Sequence, residues 1–198
     1  MDKDGLWVIV RIDGKIASVS TDCRELHSIA GRLAAQKVPG FTEMSVRTVG
    51  FGEVWKLRQE VTWDDFLLFG STFQKKVWKA LFGLTHPDGT ENSHAAKLMS
   101  YSDFASACGC SSGIRAVAHA VGLNPVAVLI PCHLIVPKEA IDRIEAIRAK
   151  AESTIFKGED LCIERILGDH SIDFGEYGLG RSLKRRLILM ENETRGLD

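Results

Sequence analysis

The sequence predicts an α+β chain, with a small mixed unit over residues 1–68 followed by a mostly helical one over 69–198. Three observations predict this. Two β-rich runs, "LWVIVRI" and "KIASVST", flank Asp13-Gly14, a two-residue hairpin signal. From Phe73 onward, apolar residues recur at helical spacing. Between about 100 and 122, two short helical patterns meet at a glycine-bearing turn. The chain has 198 residues and is 45% hydrophobic, enough to bury a core.

Taken in order, the hairpin is followed by "RELHSIAGRLAAQ", which places Leu26, Ile29, Ala30 and Leu33 on one helical face. Pro39-Gly40 breaks that pattern, and "EMSVRTVGFGEVWKLRQ" reads as further strand. Ser71 and Gln74 form a capping box. Phe73, Val77, Trp78 and Leu81 then point inward, with Lys75, Lys76 and Lys79 outward. "THPDGTENSH" (85–94) is a polar loop. Helices are expected from Ser100 to Gly109 and from Ser112 to Gly122, a helix-turn-helix candidate at about 100–122. "NPVAVLIPCH" reads as a buried strand leading into a proline. "PKEAIDRIEAIRAKAE" reads as an amphipathic helix with Ile141, Ile144 and Ile147 on one side, and 153–175 as irregular. A final helix follows a Gly-rich turn, with Leu183, Leu187 and Met190 inward and Lys184, Arg185 and Arg186 mostly outward.

Composition excludes several classes. The net charge of −1 gives no global basic field, so any nucleic-acid contact rests on a local patch and weakens at high salt. No 18-residue apolar run exists, so no membrane span is expected. The N-terminus does not read as a signal peptide. Five cysteines without a secretory signal read as thiols in a reducing compartment. Cys108-Gly-Cys110 is too tightly spaced for the usual zinc pair. Cys23 and His27 are either two ligands of a metal site completed elsewhere or, as favoured here, a core cysteine and a helix-surface histidine.

Chemistry concentrates at Pro131-Cys132-His133. A thiol is a good nucleophile only as thiolate, and an imidazole near it in space can take its proton. Adjacency alone does not establish that, since successive side chains on a strand point to opposite faces. The surrounding motifs carry more. Asn124-Pro125, the apolar run and Pro131-Cys132-His133 resemble the active-site signature of the O6-alkylguanine-DNA alkyltransferases. "FGSTFQKKVWKAL" resembles the Phe-Gln-x-x-Val-Trp helix of that family, and "SYSDFA" its Ser-Tyr helix. "IRAVAHAVGLNP" is similar to its Arg-Ala-Val recognition helix with Asn-Pro, and "YGLGRSLKRRLILME" to its closing helix ending in Glu. The motifs occur in the family order.

The resemblance implies a ribonuclease-H-like N-terminal domain and a winged helix-turn-helix-type second domain. It implies direct, stoichiometric transfer of an alkyl group from O6-alkylguanine in double-stranded DNA to Cys132, without metal or organic cofactor. The DNA would be entered from the minor groove and the base flipped out, because a stacked base hides its O6 from an attacking sulfur. Cys132 would be the nucleophile. His133 and Glu191 would complete a relay, Asn124 would orient the site, and Tyr101 would rotate the nucleotide and donate to the leaving base. Arg115 would fill the gap in the stack, with Ala116, Ala118 and His119 on the same DNA-facing helix. Pro131, Tyr177 and Gly178 would line the substrate pocket. A monomer is expected, in the nucleus of a eukaryote or otherwise in the cytoplasm. The alternative is a relative that binds DNA or senses lesions without efficient transfer.

Each residue alone also has a structural reading: Tyr101 as a packing aromatic, Arg115 as a solvated charge, Asn124 as a turn residue, Glu191 as a surface acid. Three departures from the family pattern are visible. Leu134 stands where the family has Arg, Ala118 where it has Gly, and an insertion of about 137–172 follows the cysteine loop.

Overall fold

The computed structural model describes residues 5–21, 36–86, 98–153, 169 and 171–193. Residues 24–35 of the helix expected over 24–36, the Cys23–His27 pair, most of the polar loop and residues 154–168 of the insertion lie outside them. The architecture is mixed α and β, as expected. It divides into two units, residues 1–82 with 123–132, and residues 83–122 with 133–198.

In the first unit, β1 (Trp7–Ile12) is the centre of an antiparallel sheet ordered β2-β1-β3, with β2 at Lys15–Ser20 and β3 at Met44–Val49. Asp13 and Gly14 both have positive φ, 47° and 79°, which matches the twist of a two-residue hairpin. Asp13 Oδ1 also accepts from the Thr42 hydroxyl and from the Thr42 and Glu43 amides, which ties the hairpin tip to the approach to β3. Those bonds, the Thr42 hydroxyl first, hold its carboxyl below the ordinary aspartate range.

The strand reading of "EMSVRTVGFGEVWKLRQ" is half right. The strand ends at Val49, and Phe51–Glu60 is a helix, α1. Phe51, Val54 and Arg58 are its buried positions, a spacing of three and four. The aromatic and β-branched content obscured that period.

Helix α2 (Thr72–Gly83) begins with the expected capping box. Gln74 Oε1 accepts from the Ser71 amide at 2.8 Å, and Ser71 Oγ accepts from the Gln74 amide at 3.2 Å. Val77, Trp78, Leu81 and Phe82 are buried, and burying Val77 or Leu81 contributes about 1.5–3 kcal/mol each. Gly70 abuts this face: a Cβ there would lie 2.6 Å from Trp78 Cη2 and 2.7 Å from Cζ3. A buried indole has little room to move, so Gly70→Ala is expected to destabilise the fold by about 2 kcal/mol, read as a lower urea midpoint at unchanged slope.

The second unit contains a parallel pair, β4 (Met99–Ser100) with β5 (Ile135–Val136). It also holds helices α3 (Tyr101–Ala107), α4 (Ile114–Gly122), α5 (Lys138–Ser153) and α6 (Arg181–Glu193). Ser100 caps α3 by accepting from the Asp103 amide at 3.1 Å. The α3–α4 turn is a Schellman motif. Gly109 sits at φ 70°, its amide reaches Ser106 O, and the Cys110 amide reaches Ala105 O.

Helix α5 packs through Ala140, Ile144, Ile141 and Ile147 against Val136, Ile172, Phe174 and Ile188. This part of the insertion is therefore built into the core of its unit. Among the described residues no helix is long and apolar enough to cross a membrane.

The inward face of α6 differs from the expected one. Lys184, Leu187, Ile188 and Glu191 are buried, while Leu183 and Met190 are only half-buried. Two polar side chains face inward because each meets a partner there, and hydropathy alone gives no sign of that.

Candidate functional site

Residues 124–132 do not form the continuous strand expected from their apolar run. The segment first joins the edge of β2, where the Val19 amide donates to Pro125 O at 3.0 Å and the Ala127 amide to Val19 O at 3.1 Å. It then folds back on itself. Ala127 bridges to Ile130, the Leu129 amide donates to Ala127 O, and the Ile130 amide to Val126 O. Val128 takes the corner at φ 72°. A β-branched residue there costs on the order of 1–3 kcal/mol and persists only where its surroundings hold it. Its side chain is fully buried, which supplies that hold.

Asn124 clamps this loop. Its Nδ2 donates to Ile130 O at 2.9 Å and to Cys132 Sγ at 3.0 Å, and its Oδ1 accepts from the Val126 amide at 3.1 Å. The thiol is 8% exposed, and Pro131 before it is buried. A thiolate accepts an N–H bond far better than a thiol does, so the amide favours the reactive form. Asn124→Ala removes three bonds and is expected to cost about 2–3 kcal/mol in urea unfolding. It should also change the rate at which iodoacetamide labels Cys132.

Cys132 is the last residue of the first unit, and His133 opens the second stretch of the second unit. A turn of 3₁₀ helix at Cys132–Leu134 leads into β5. His133 is fully buried and Glu191 is 2% exposed, with His133 Nε2 and Glu191 Oε1 2.8 Å apart. A buried carboxylate on one ring nitrogen fixes the orientation of the imidazole and stabilises it if it takes a proton. Leu134 is buried, so the position that departs from the family arginine is filled as an apolar core site.

The remaining residues singled out from sequence lie in the second unit. Tyr101 is half-buried at the first position of α3, directly after β4 and therefore beside the strand that follows His133. Arg115, Ala116 and His119 are exposed on α4, and Ala118 is half-buried. Tyr177 is half-buried and Gly178 exposed, in the turn before α6. Sequence reasoning missed Lys184, which carries no motif signal of its own beyond its place within the closing helix. It also missed the corner at Val128. Among the described residues no three His, Cys, Asp or Glu side chains cluster as metal ligands.

Known proteins resemble this chain in part. Residues 72–152 match the family described as 6-O-methylguanine DNA methyltransferase, DNA binding domain. A probable methylated-DNA–protein-cysteine methyltransferase of Acanthamoeba polyphaga mimivirus is 42% identical over 74 residues, covering 37% of this chain and 44% of the relative. The Mycobacterium bovis methylated-DNA–protein-cysteine methyltransferase is 35% identical over 103 residues, covering 45% and 57%. The chain thus spans about half the length of these curated relatives. Two solved structures share its fold. The O6-methylguanine methyltransferase of Mycobacterium tuberculosis has TM-score 0.52 at 20% identity, covering 98% of this chain and 90% of that one. The O6-methylguanine-DNA methyltransferase of Pyrococcus kodakaraensis has 0.53 at 21%, covering 96% and 94%.

Proposed function

Residues 72–152 belong to the 6-O-methylguanine DNA methyltransferase family, and on that premise we propose that this chain repairs O6-alkylguanine in DNA by moving the alkyl group onto Cys132. The observation that carries the proposal is the pairing of a clamped thiol with a buried acid-imidazole pair at the next residue. Asn124 holds Cys132 Sγ, and Glu191 holds His133.

The reaction follows from those groups. The Cys132 proton leaves through water to His133, and Glu191 stabilises the charge that appears on the ring. The sulfur attacks the alkyl carbon, the bond from carbon to O6 breaks, and its electron pair returns to guanine. Tyr101 donates a hydrogen bond to the departing base, which takes up a proton in place of the one Cys132 lost. The product is a thioether that no group in the site reverses, so each chain acts once. No metal or organic cofactor enters the balance.

Access to the lesion requires base flipping. The α3–α4 pair acts as a helix-turn-helix of winged type, with α4 in the minor groove. Arg115 occupies the vacated stack, and Ala116, Ala118 and His119 lie against the backbone. Pro131, Tyr177 and Gly178 line the pocket for the flipped base. In this reading residues 1–68 form a ribonuclease-H-like domain, residues 69–198 carry the chemistry, and the protein acts as a monomer on duplex DNA.

Intact-mass spectrometry with an oligonucleotide containing O6-methylguanine tests the proposal. One added methyl per chain, mapped to Cys132 and saturating there, is the expected result. An unchanged mass with the oligonucleotide bound would make the protein a lesion-binding relative. Continued product formation beyond one equivalent would make it a hydrolase.

A further inference from the structure

Lys184 is a lysine buried to 1% exposure in a position where an apolar residue would be cheaper. Its ammonium donates to Ile135 O at 2.8 Å and to Glu176 O at 3.3 Å. These carbonyls belong to two segments that the proposed chemistry uses. Ile135 follows His133 by two residues, and Glu176 immediately precedes Tyr177. The fit is close: Gly175, at φ 80°, leaves room where a Cβ would lie 3.0 Å from Pro137 and 3.9 Å from Lys184 Nζ.

Lys184 and Glu191 are seven residues apart on α6 and share its buried face with Leu187 and Ile188. The helix therefore holds one short stretch of chain at two points. Glu191 takes the His133 ring, and Lys184 takes the Ile135 carbonyl. The pairing of β5 with β4 already fixes the direction of this stretch, and two side-chain bonds two residues apart add a hold on its position along α6. The intervening Leu134 is buried and its side chain contributes no donor, so α6 supplies the side-chain bracing of this stretch beside the backbone pairing with β4.

We propose that Lys184 is a positioning residue for alkyl transfer, fixing where the His133 ring stands and aligning the Tyr177 turn with it. The proposal rests on the function argued above and acts through His133.

The test compares wild type with Lys184→Met, which keeps the length of the side chain and removes the ammonium. Single-turnover transfer is measured at saturating O6-methylguanine oligonucleotide between pH 6 and pH 9, alongside oligonucleotide affinity and the ¹⁵N-detected signals of the His133 ring. The expected result is a rate lower by about 30-fold at neutral pH, since a displacement of about 1 Å in a catalytic group costs up to about 10²-fold. The deficit should narrow toward pH 9, where a thiol ionises without help. Affinity should stay within about threefold, because the bonds from Lys184 to Ile135 O and Glu176 O lie outside α4, the helix proposed to enter the groove. The His133 ring signals should shift, and Lys184→Arg, which keeps a cationic donor, should restore part of the rate.

A wild-type rate and pH profile in Lys184→Met would overturn the proposal. So would a uniform loss at every pH with unchanged ring signals, the mark of a merely structural role. If Lys184→Met does not fold, Lys184→Gln retains one donor and is read by the same outcomes. Absence of transfer by the wild type would instead refute the function itself. The ring signals would then still report whether Lys184 positions His133.

Discussion

Cys132→Ala is expected to reduce methyl transfer by at least about 10³-fold, to the limit of detection by intact mass. Sulfur is the only atom at this position able to displace guanine from carbon, and the other described thiols lie elsewhere. Cys108 and Cys110 sit at the α3–α4 turn. The substitution leaves a void of one sulfur and deprives Asn124 Nδ2 of one acceptor while its bond to Ile130 O remains. Stability should therefore fall by only about 1–2 kcal/mol. Affinity for the lesion oligonucleotide should hold within about threefold. The variant then becomes a stable lesion binder, and a gel-shift titration beside the mass measurement separates loss of chemistry from loss of fold. Methyl transfer persisting in this variant would remove Cys132 from its assigned role.

Glu191→Gln is expected to slow transfer by about 10²-fold while the protein stays folded. Glutamine is isosteric and can still accept from His133, but it does not stabilise a proton gained by the ring. Glu191→Ala goes further, because it leaves a fully buried imidazole beside a cavity. It should cost about 3 kcal/mol on top of the rate loss. Single-turnover rates and urea unfolding on the two variants give the comparison. Equal rates in wild type and Glu191→Gln would reduce Glu191 to a packing role. A rate loss in Glu191→Ala alone would point to geometry rather than charge.

Local chemistry made much of this legible before any coordinates. Asp13-Gly14 predicts a hairpin because few residue pairs tolerate two consecutive positive φ angles, and the hairpin is there. Ser71 and Gln74 predict a reciprocal cap because their atoms lie within reach inside one turn, and both bonds are formed. The period of Val77, Trp78 and Leu81 predicts which face of α2 is buried. Each signal lies within a few residues, where covalent geometry leaves little choice.

The misreadings share an opposite cause. The run from Ala127 to Ile130 reads as strand because burial on all sides looks the same from sequence whether the chain runs straight or turns back. The corner at Val128 contradicts local preference and exists because packing imposes it. Phe51–Glu60 carries strand-favouring residues and folds as a helix, since propensity yields to the surface it must bury against.

The sequence by itself determined the order of the motifs, the position of the thiol at Cys132 beside His133, and the caps and turns formed within a few residues. Only the tertiary structure decided that Asn124 donates to that thiol. Only it showed that Glu191 meets His133 across 58 positions and that Lys184 turns inward to Ile135. A buried polar side chain is stable only opposite a partner, and partners distant in sequence are brought together by the packing of whole elements.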